Sequence, residues 1–318
     1  MRGAILACAL LAMVAPAAAE TYPSKPVRIV VGFAAGSVSD LTARTVGQKL
    51  GAALGQPFVV EVRPGAGSNV AAQSVVRSPK DGYTLFVATS SSTIPSPATA
   101  NLGFNFATDL QPIALLANVP FVLTAYPGLG VKTVQEFIAL AKAKPGELNY
   151  ASSGPGTPYH MAGELFKAMT GTDIVHVPHK ASGEARNSVI AGHVQMMFDA
   201  VTTMMPNVLA GQVRALGTTG LKRSATTPDL PTIAEAGVPG YDATIWLGVM
   251  APAATPKAVV DKLNAEINKV LARPDVIAAW AKQGAEPMAM TPAEFDAYLR
   301  KDIEKWAEVV KVSGAKVQ

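Results

Sequence analysis

The sequence predicts an α/β chain folded as two lobes, and three observations predict it. Short apolar runs alternate with stretches of helical period along almost the whole length, the pattern of largely parallel sheets flanked by helices. Several of those runs end in loops built from Gly, Ser and Ala. Two further apolar stretches, Ile113 to Tyr126 ("IALLANVPFVLTAY") and Thr244 to Pro252 ("TIWLGVMAP"), are placed to carry the chain out of one lobe and back. Two crossings make a hinge, with a cleft between the lobes where small molecules favour binding.

The first twenty residues, "MRGAILACALLAMVAPAAAE", precede both lobes. Arg2 is followed by an apolar stretch from Ala4 to Val14 and by small residues at Ala17 and Ala19, which reads as a secretory signal with an A-x-A cleavage site. It is too short to span a bilayer by itself. Residues 1–19 are therefore expected to be removed, and the only cysteine, Cys8, leaves with them. A lipid anchor at "ILAC" would leave an apolar region of only a few residues. The mature chain then has no disulfide, no thiol chemistry and no Cys-based metal site.

In the first lobe "VRIVVGF" leads to a helix near 41–54, and "PFVVEVR" leads through "PGAGS" to a helix near 69–77. "YTLFVAT" runs into "SSSTIPSP". The ends of strands in open α/β sheets are where ligands sit, although Gly also serves plain tight turns. The second lobe follows with helix 133–143, strand "LNYAS", helix 158–170, strand "DIVHVP", helix 182–191, and strands "VQMMFDA" and "VRALGTT". The lobes are thus expected at 20–121 plus 246–318, and at 122–245. Thr255-Pro256 starts a helix with Val259, Leu263, Ile267 and Val270 on one stripe. Thr291 to Glu294 is a capping box ahead of Phe295, Leu299, Ile303, Trp306 and Val310. These last helices are expected to cover the first lobe's sheet.

Composition excludes several functions. The 27 Lys and Arg against 23 Asp and Glu give a formal charge of +4, scattered rather than interleaved with aromatics, so no nucleic-acid footprint is present. There is no G-x-S-x-G and no H-E-x-x-H. The four histidines, His160, His176, His179 and His193, all fall in the second lobe, and on a strand His176 and His179 point to opposite faces. No catalytic residue, metal ligand or cofactor is assigned. A His with Asp199 leaves an exported enzyme acting on a small carboxylic acid as the alternative function.

Two loops invite a ligand. "IVVGFAAGSVSD" and "YASSGPGTPYHMAGELF" both place a strand, a small-residue loop and a helix start in succession. Such helix starts offer free N–H groups and about half a positive charge, and hydroxyls add donors. Neither loop has the Lys of a nucleotide phosphate loop, and no GxGxxG occurs. Two such loops, one per lobe, would clamp a small carboxylate; Ser153 and Thr157 are equally ordinary helix caps. Asp40, at a helix start, reads as an organiser of loop amides rather than a ligand contact. Lys180 reads as either a partner for a carboxylate or a solvated surface residue. Asp199 reads as either an acceptor for a ligand amine or hydroxyl, or a helix cap.

The whole mature length resembles the periplasmic solute receptors of tripartite tricarboxylate transporters, the Bug-type family. The resemblance is carried by "YPSKPVRIVVGFAAGSVSDLTAR", "VEVRPGAGSNVAA", "KDGYTLFVATSSS", "LNYASSGPGTPYHMAGELF", "VHVPHKASGEARNSVIAGHVQMMFD" and "TPDLPTIAEAGVPGY", in that order. It implies a two-lobed periplasmic binding protein of type II-like topology with two crossing hinge strands. It also implies capture of a small organic carboxylate and its delivery to a membrane permease. The usual clamp positions match Phe33, Ala34, Gly36, Ser37 and Asp40, then Thr89, Ser90 and Ser91, then Ser152, Ser153, Thr157 and His160. The first loop departs from the family's Phe-x-Pro-Gly-Gly-x-x-Asp in having Ser37 for a Gly, and "VPHKA" replaces the usual "VPYKG" at His179 and Ala181. A monomer in the periplasm is expected.

Overall fold

The computed structural model describes residues 22–65, 68–94 and 103–313. The expected signal segment at 1–19, the centre of "PGAGS" and the end of "SSSTIPSP" lie outside the described residues.

Two sheets form. The first has the order β11-β4-β10-β3-β1-β2, with β1 Val27–Val31, β2 Phe58–Val62, β3 Thr84–Thr89, β4 Leu110–Val119, β10 Ile245–Pro252 and β11 Glu286–Pro287. The second has the order β7-β6-β8-β5-β9, with β5 Phe121–Ala125, β6 Asn149–Ser152, β7 Val175–Pro178, β8 Met196–Ala200 and β9 Arg214–Thr218. Both sheets follow one plan. Three parallel strands lie in the order second, first, third, and then comes a strand that has crossed over from the other half. That visitor, β10 in the first sheet and β5 in the second, runs antiparallel to both its neighbours.

Helices cover both faces of each sheet, which is why "VRIVV" and "TLFVAT" are apolar throughout rather than alternating. On the first sheet, α1 (Val38–Leu54), α8 (Lys257–Leu271) and α9 (Pro274–Ala281) bury Val46, Leu50, Leu263, Ile267 and Trp280 against one face. Helix α2 (Asn69–Val76) and the start of α10 (Pro292–Ser313) cover the other with Ala71, Val75, Phe295 and Leu299, while α3 (Phe106–Asp109) leads into β4. On the second sheet, α4 (Val134–Ala143) and α5 (Pro158–Thr170) pack Phe137 and Phe166 on one side. Helices α6 (Ser182–Ile190) and α7 (Val201–Leu209) pack Ala185, Val189 and Met204 on the other.

One expectation is corrected here. Helix α10 does not cover the first sheet alone: Trp306 and Val309, near its end, are buried in the core of the second sheet. The helix is 22 residues long, and its stripe puts Phe295 and Leu299 in one core and Trp306 and Val309 in the other, so it strides across both lobes. The apolar stretch read as one long crossing strand is two strands, broken at Pro120, where the chain passes from the first sheet to the second.

Candidate functional site

The carboxyl ends of β1 and β3, the last residue of β4 and the first of β10 meet at the edge of the first sheet that faces the second lobe. A cavity of about 270 Å3 sits there. The first lobe supplies Phe33, Ser37, Val38, Ser39, Thr89 and Ser91. The second supplies Pro158 and Tyr159, and the strands at the hinge supply Val119, Ile245 and Leu247. The volume lies just under the range of roughly 300–1,000 Å3 common for small-molecule pockets, so it suits a small guest. Two wider grooves, about 610 and 700 Å3, lie at the far ends of the sheets: one beside Pro127 and Arg214, the other beside Gln111 and Thr255.

The loops entering α1 and α5 are built alike. Ser37 and Thr157 cap the two helices with nearly the same backbone, φ −67° and ψ 160° against φ −70° and ψ 155°. The preceding Gly36 and Gly156 have φ of +80° and +74°, a conformation that glycine adopts without a steric penalty. Three residues after each cap a side chain reaches back. The Gly36 N–H donates to Asp40 Oδ2 at 2.9 Å, and the Gly156 N–H donates to His160 Nδ1 at 2.9 Å. These resemble capping boxes, with Asp and His in place of the usual Glu, but they close on the N–H of the residue before the cap rather than on that of the cap itself. Ser37, at ordinary extended angles, is thus unstrained where the family commonly has Gly.

Closing those turns uses up the Gly36 and Gly156 amides. The N–H groups of Val38, Ser39 and Tyr159, in the first turns of the two helices, lie where no intrahelical carbonyl can reach them. Thr89 Oγ1 is buried at the cavity and has no partner among the described residues. The site therefore offers neutral donors and a partial positive charge from two helix starts.

The electrostatics of the supporting residues are settled internally. Burial alone would raise the Asp40 carboxyl, but the hydrogen bonds from Arg44 and Gly36 outweigh it and hold it below the ordinary value. Burial lowers the pKa of His160 and leaves it neutral, as its acceptor role requires. Its ring stacks on His176, with centroids 4.0 Å apart, and His176 Nε2 lies 2.6 Å from Ser152 Oγ. Burial first, and the neighbouring His160 second, push His176 down to about 3. Behind them Tyr150 donates to Glu164 at 2.5 Å, and Lys167 pairs with the same carboxylate at 2.9 Å.

Of the residues singled out from the sequence, Phe33, Ser37, Thr89 and Ser91 come together around the cavity. Ala34 and Gly36 are exposed on the loop beside it, and Asp40 lies beneath, bound to the loop. Ser90 is buried and turns its carbonyl to Thr93. Ser152, Thr157 and His160 are spent on holding the second loop, with Ser153 half-buried among them. Lys180 is exposed and its backbone N–H caps onto Glu184.

Asp199, left by the sequence as either a ligand acceptor or a helix cap, already has partners. It is 1% exposed, its Oδ2 pairs with Arg186 at 2.7 Å, and its Oδ1 accepts the Ala200 N–H at 2.8 Å. Burial raises its pKa in spite of that pairing. Trp246, next to Ile245 on the crossing strand, faces away from the cavity and donates to Asp302 at 2.8 Å. What sequence reasoning missed are Val119, Ile245 and Leu247, with Val38, Ser39, Pro158 and Tyr159; the alternation of the two crossing strands is the signal that selects the first three.

That alternation also defines a second face. Val119 and Ile245 pair and face the cleft, whereas Asn118, Pro120 and Thr244 face backward and line a cavity of about 360 Å3 behind the hinge. Leu221 and Met290 close it from the two lobes.

A family model described as tripartite tricarboxylate transporter family receptor matches residues 42–315. The chain belongs to that family. It is similar to the protein BugT of Bordetella pertussis, 35% identical over 96% of this chain and 94% of that protein. Among solved structures it is similar to Rpa4515 of R. palustris with adipate, at TM-score 0.74 and 34% identity, covering 92% of this chain and 99% of that one. It is also similar to MatC from Rhodopseudomonas palustris with bound malate, at TM-score 0.69 and 30% identity over 91% and 100%. The family is one of receptors, not enzymes. No helix among the described residues is long and apolar enough to cross a membrane.

Proposed function

We propose that this chain, exported by a signal cleaved after Ala19, is a periplasmic receptor that holds a small organic carboxylate between its lobes and hands it, unaltered, to a membrane permease. The observation that carries this reading is the joint cavity at the two helix starts, where neutral donors converge and no formal charge lines the wall. One carboxylate group would be bound by the first-turn amides of α1 and α5, by the hydroxyls of Thr89 and Ser91, and by one of the Ser37 and Ser39 hydroxyls, whose oxygens lie 3.1 Å apart. Asp40, Thr157 and His160 hold the loops in the shape that presents those donors. Both walls come from one chain, so a monomer suffices. The adipate and malate in the related structures support the ligand class.

The test is a thermal-shift panel of dicarboxylates, aromatic acids and amino acids. A ligand at a hundredfold excess over its Kd adds about 2.7 kcal/mol to stability. If no acid in the panel moves the melting transition, the proposal fails.

A further inference from the structure

We infer that the preferred guest of this cleft is a monocarboxylate with an apolar body rather than a dicarboxylate; this rests on the receptor reading and narrows it. The cavity is two-sided in its chemistry. Hydroxyls of Ser37, Ser39, Thr89 and Ser91 gather beside the start of α1. The rest of the lining is hydrocarbon, made by Val119, Ile245 and Leu247 of the crossing strands with Phe33, Val38, Pro158 and the Tyr159 ring, while the backbone N–H at the start of α5 serves the same carboxylate as α1. Tyr159 presents ring rather than hydroxyl: it packs edge-on against Phe121 at 4.9 Å, and its oxygen lies against Asp199 and the Ala200 backbone.

Three cations around the two loops are committed to other partners, and Lys180, exposed beside the second loop, does not line the cavity. Arg44 is bound to Asp40 at 3.0 Å, Arg186 to Asp199 at 2.7 Å, and Lys167 to Glu164 at 2.9 Å. One anionic group therefore finds donors. A second, at the far wall, would exchange its water for methyl groups and a ring edge. Burying a charge without a partner is strongly disfavoured, whereas a chain or ring placed there removes apolar surface from water. The wall selects by rejecting charge as much as by attracting hydrocarbon.

Matched pairs test this by isothermal titration calorimetry on the mature chain. Hexanoate and adipate share a six-carbon chain and differ in the second carboxylate; 4-methylbenzoate and terephthalate do the same on a ring. The monoacid of each pair is expected to bind at least tenfold tighter, with a negative heat-capacity change. In the Ile245→Lys variant, which puts a cation on the apolar wall at a half-buried position, the ratio should narrow or reverse. Equal or tighter binding of the diacids by the unmodified chain would overturn the inference while leaving the receptor reading intact. Failure of all four acids and of every other carboxylate would instead overturn the receptor reading. An unchanged ratio in a properly melting Ile245→Lys protein would refute the role of the wall.

Discussion

Asp40 and His160 occupy equivalent places in the two loops and do one job with different chemistry. Each accepts the N–H of a left-handed glycine, Asp40 as an anion steadied by Arg44, His160 as a neutral ring kept so by burial. Asp40→Asn keeps an oxygen for Gly36 but loses the Arg44 pair, and Asp40→Ala loses both. Melting curves should rank wild type above Asn above Ala, with Ala costing about 1–2 kcal/mol, and ligand affinity should fall in the same order. The histidines set an acid limit. Because His176 is pushed down to about 3 from 6.5, the unfolded chain binds a proton that the folded one resists between those values. Stability from this source is therefore whole above pH 6.5 and is lost as pH falls toward 3. A His176→Asn variant should show a shallower fall of Tm across that window; an equal slope would remove His176 from the account.

Elements were more legible in the sequence than contacts. The strand ends, the helix starts at 158 and 182 and the cap Thr157 follow from local pattern, because period and capping chemistry act within a few residues, whereas the first helix, expected from Leu41, begins at Val38 with Ser37 as its cap. The two small-residue loops were visible for the same reason. The apolar wall was not, since Val119 and Ile245 become neighbours only when β4 pairs with β10, and nothing local separates them from core residues. Asp199 looked available because its partner, Arg186, sits on another element. The stride of α10 was hidden because an amphipathic stripe does not say what covers it. Trp306, 2% exposed against the second lobe, tests that placement. Trp306→Ala should cost about 3–5 kcal/mol in chemical denaturation, and a loss under 1 kcal/mol would contradict the packing described.

At the scale of the molecule, cleft and rear cavity lie on opposite faces of the same two crossing strands. Rotation that closes the front must widen the back. Bulk added behind should therefore shift the unliganded protein toward closure and raise affinity by lowering the conformational cost of binding. Leu221, 62% exposed on the rear wall, is a safe place to add it. Leu221→Trp should bind a saturating carboxylate severalfold tighter, and small-angle scattering of the free variant should give a smaller radius than wild type; weaker binding with an unchanged radius would refute the lever. Movement about that lever is not unlimited. With Phe295 anchored in one half, Trp306 in the other, and Lys305 donating to the Asp242 carbonyl at 3.1 Å, α10 is a tether of fixed length. A helix held at both ends would let the jaws pivot while limiting how wide they gape, which would favour compact acids over a peptide or a polymer.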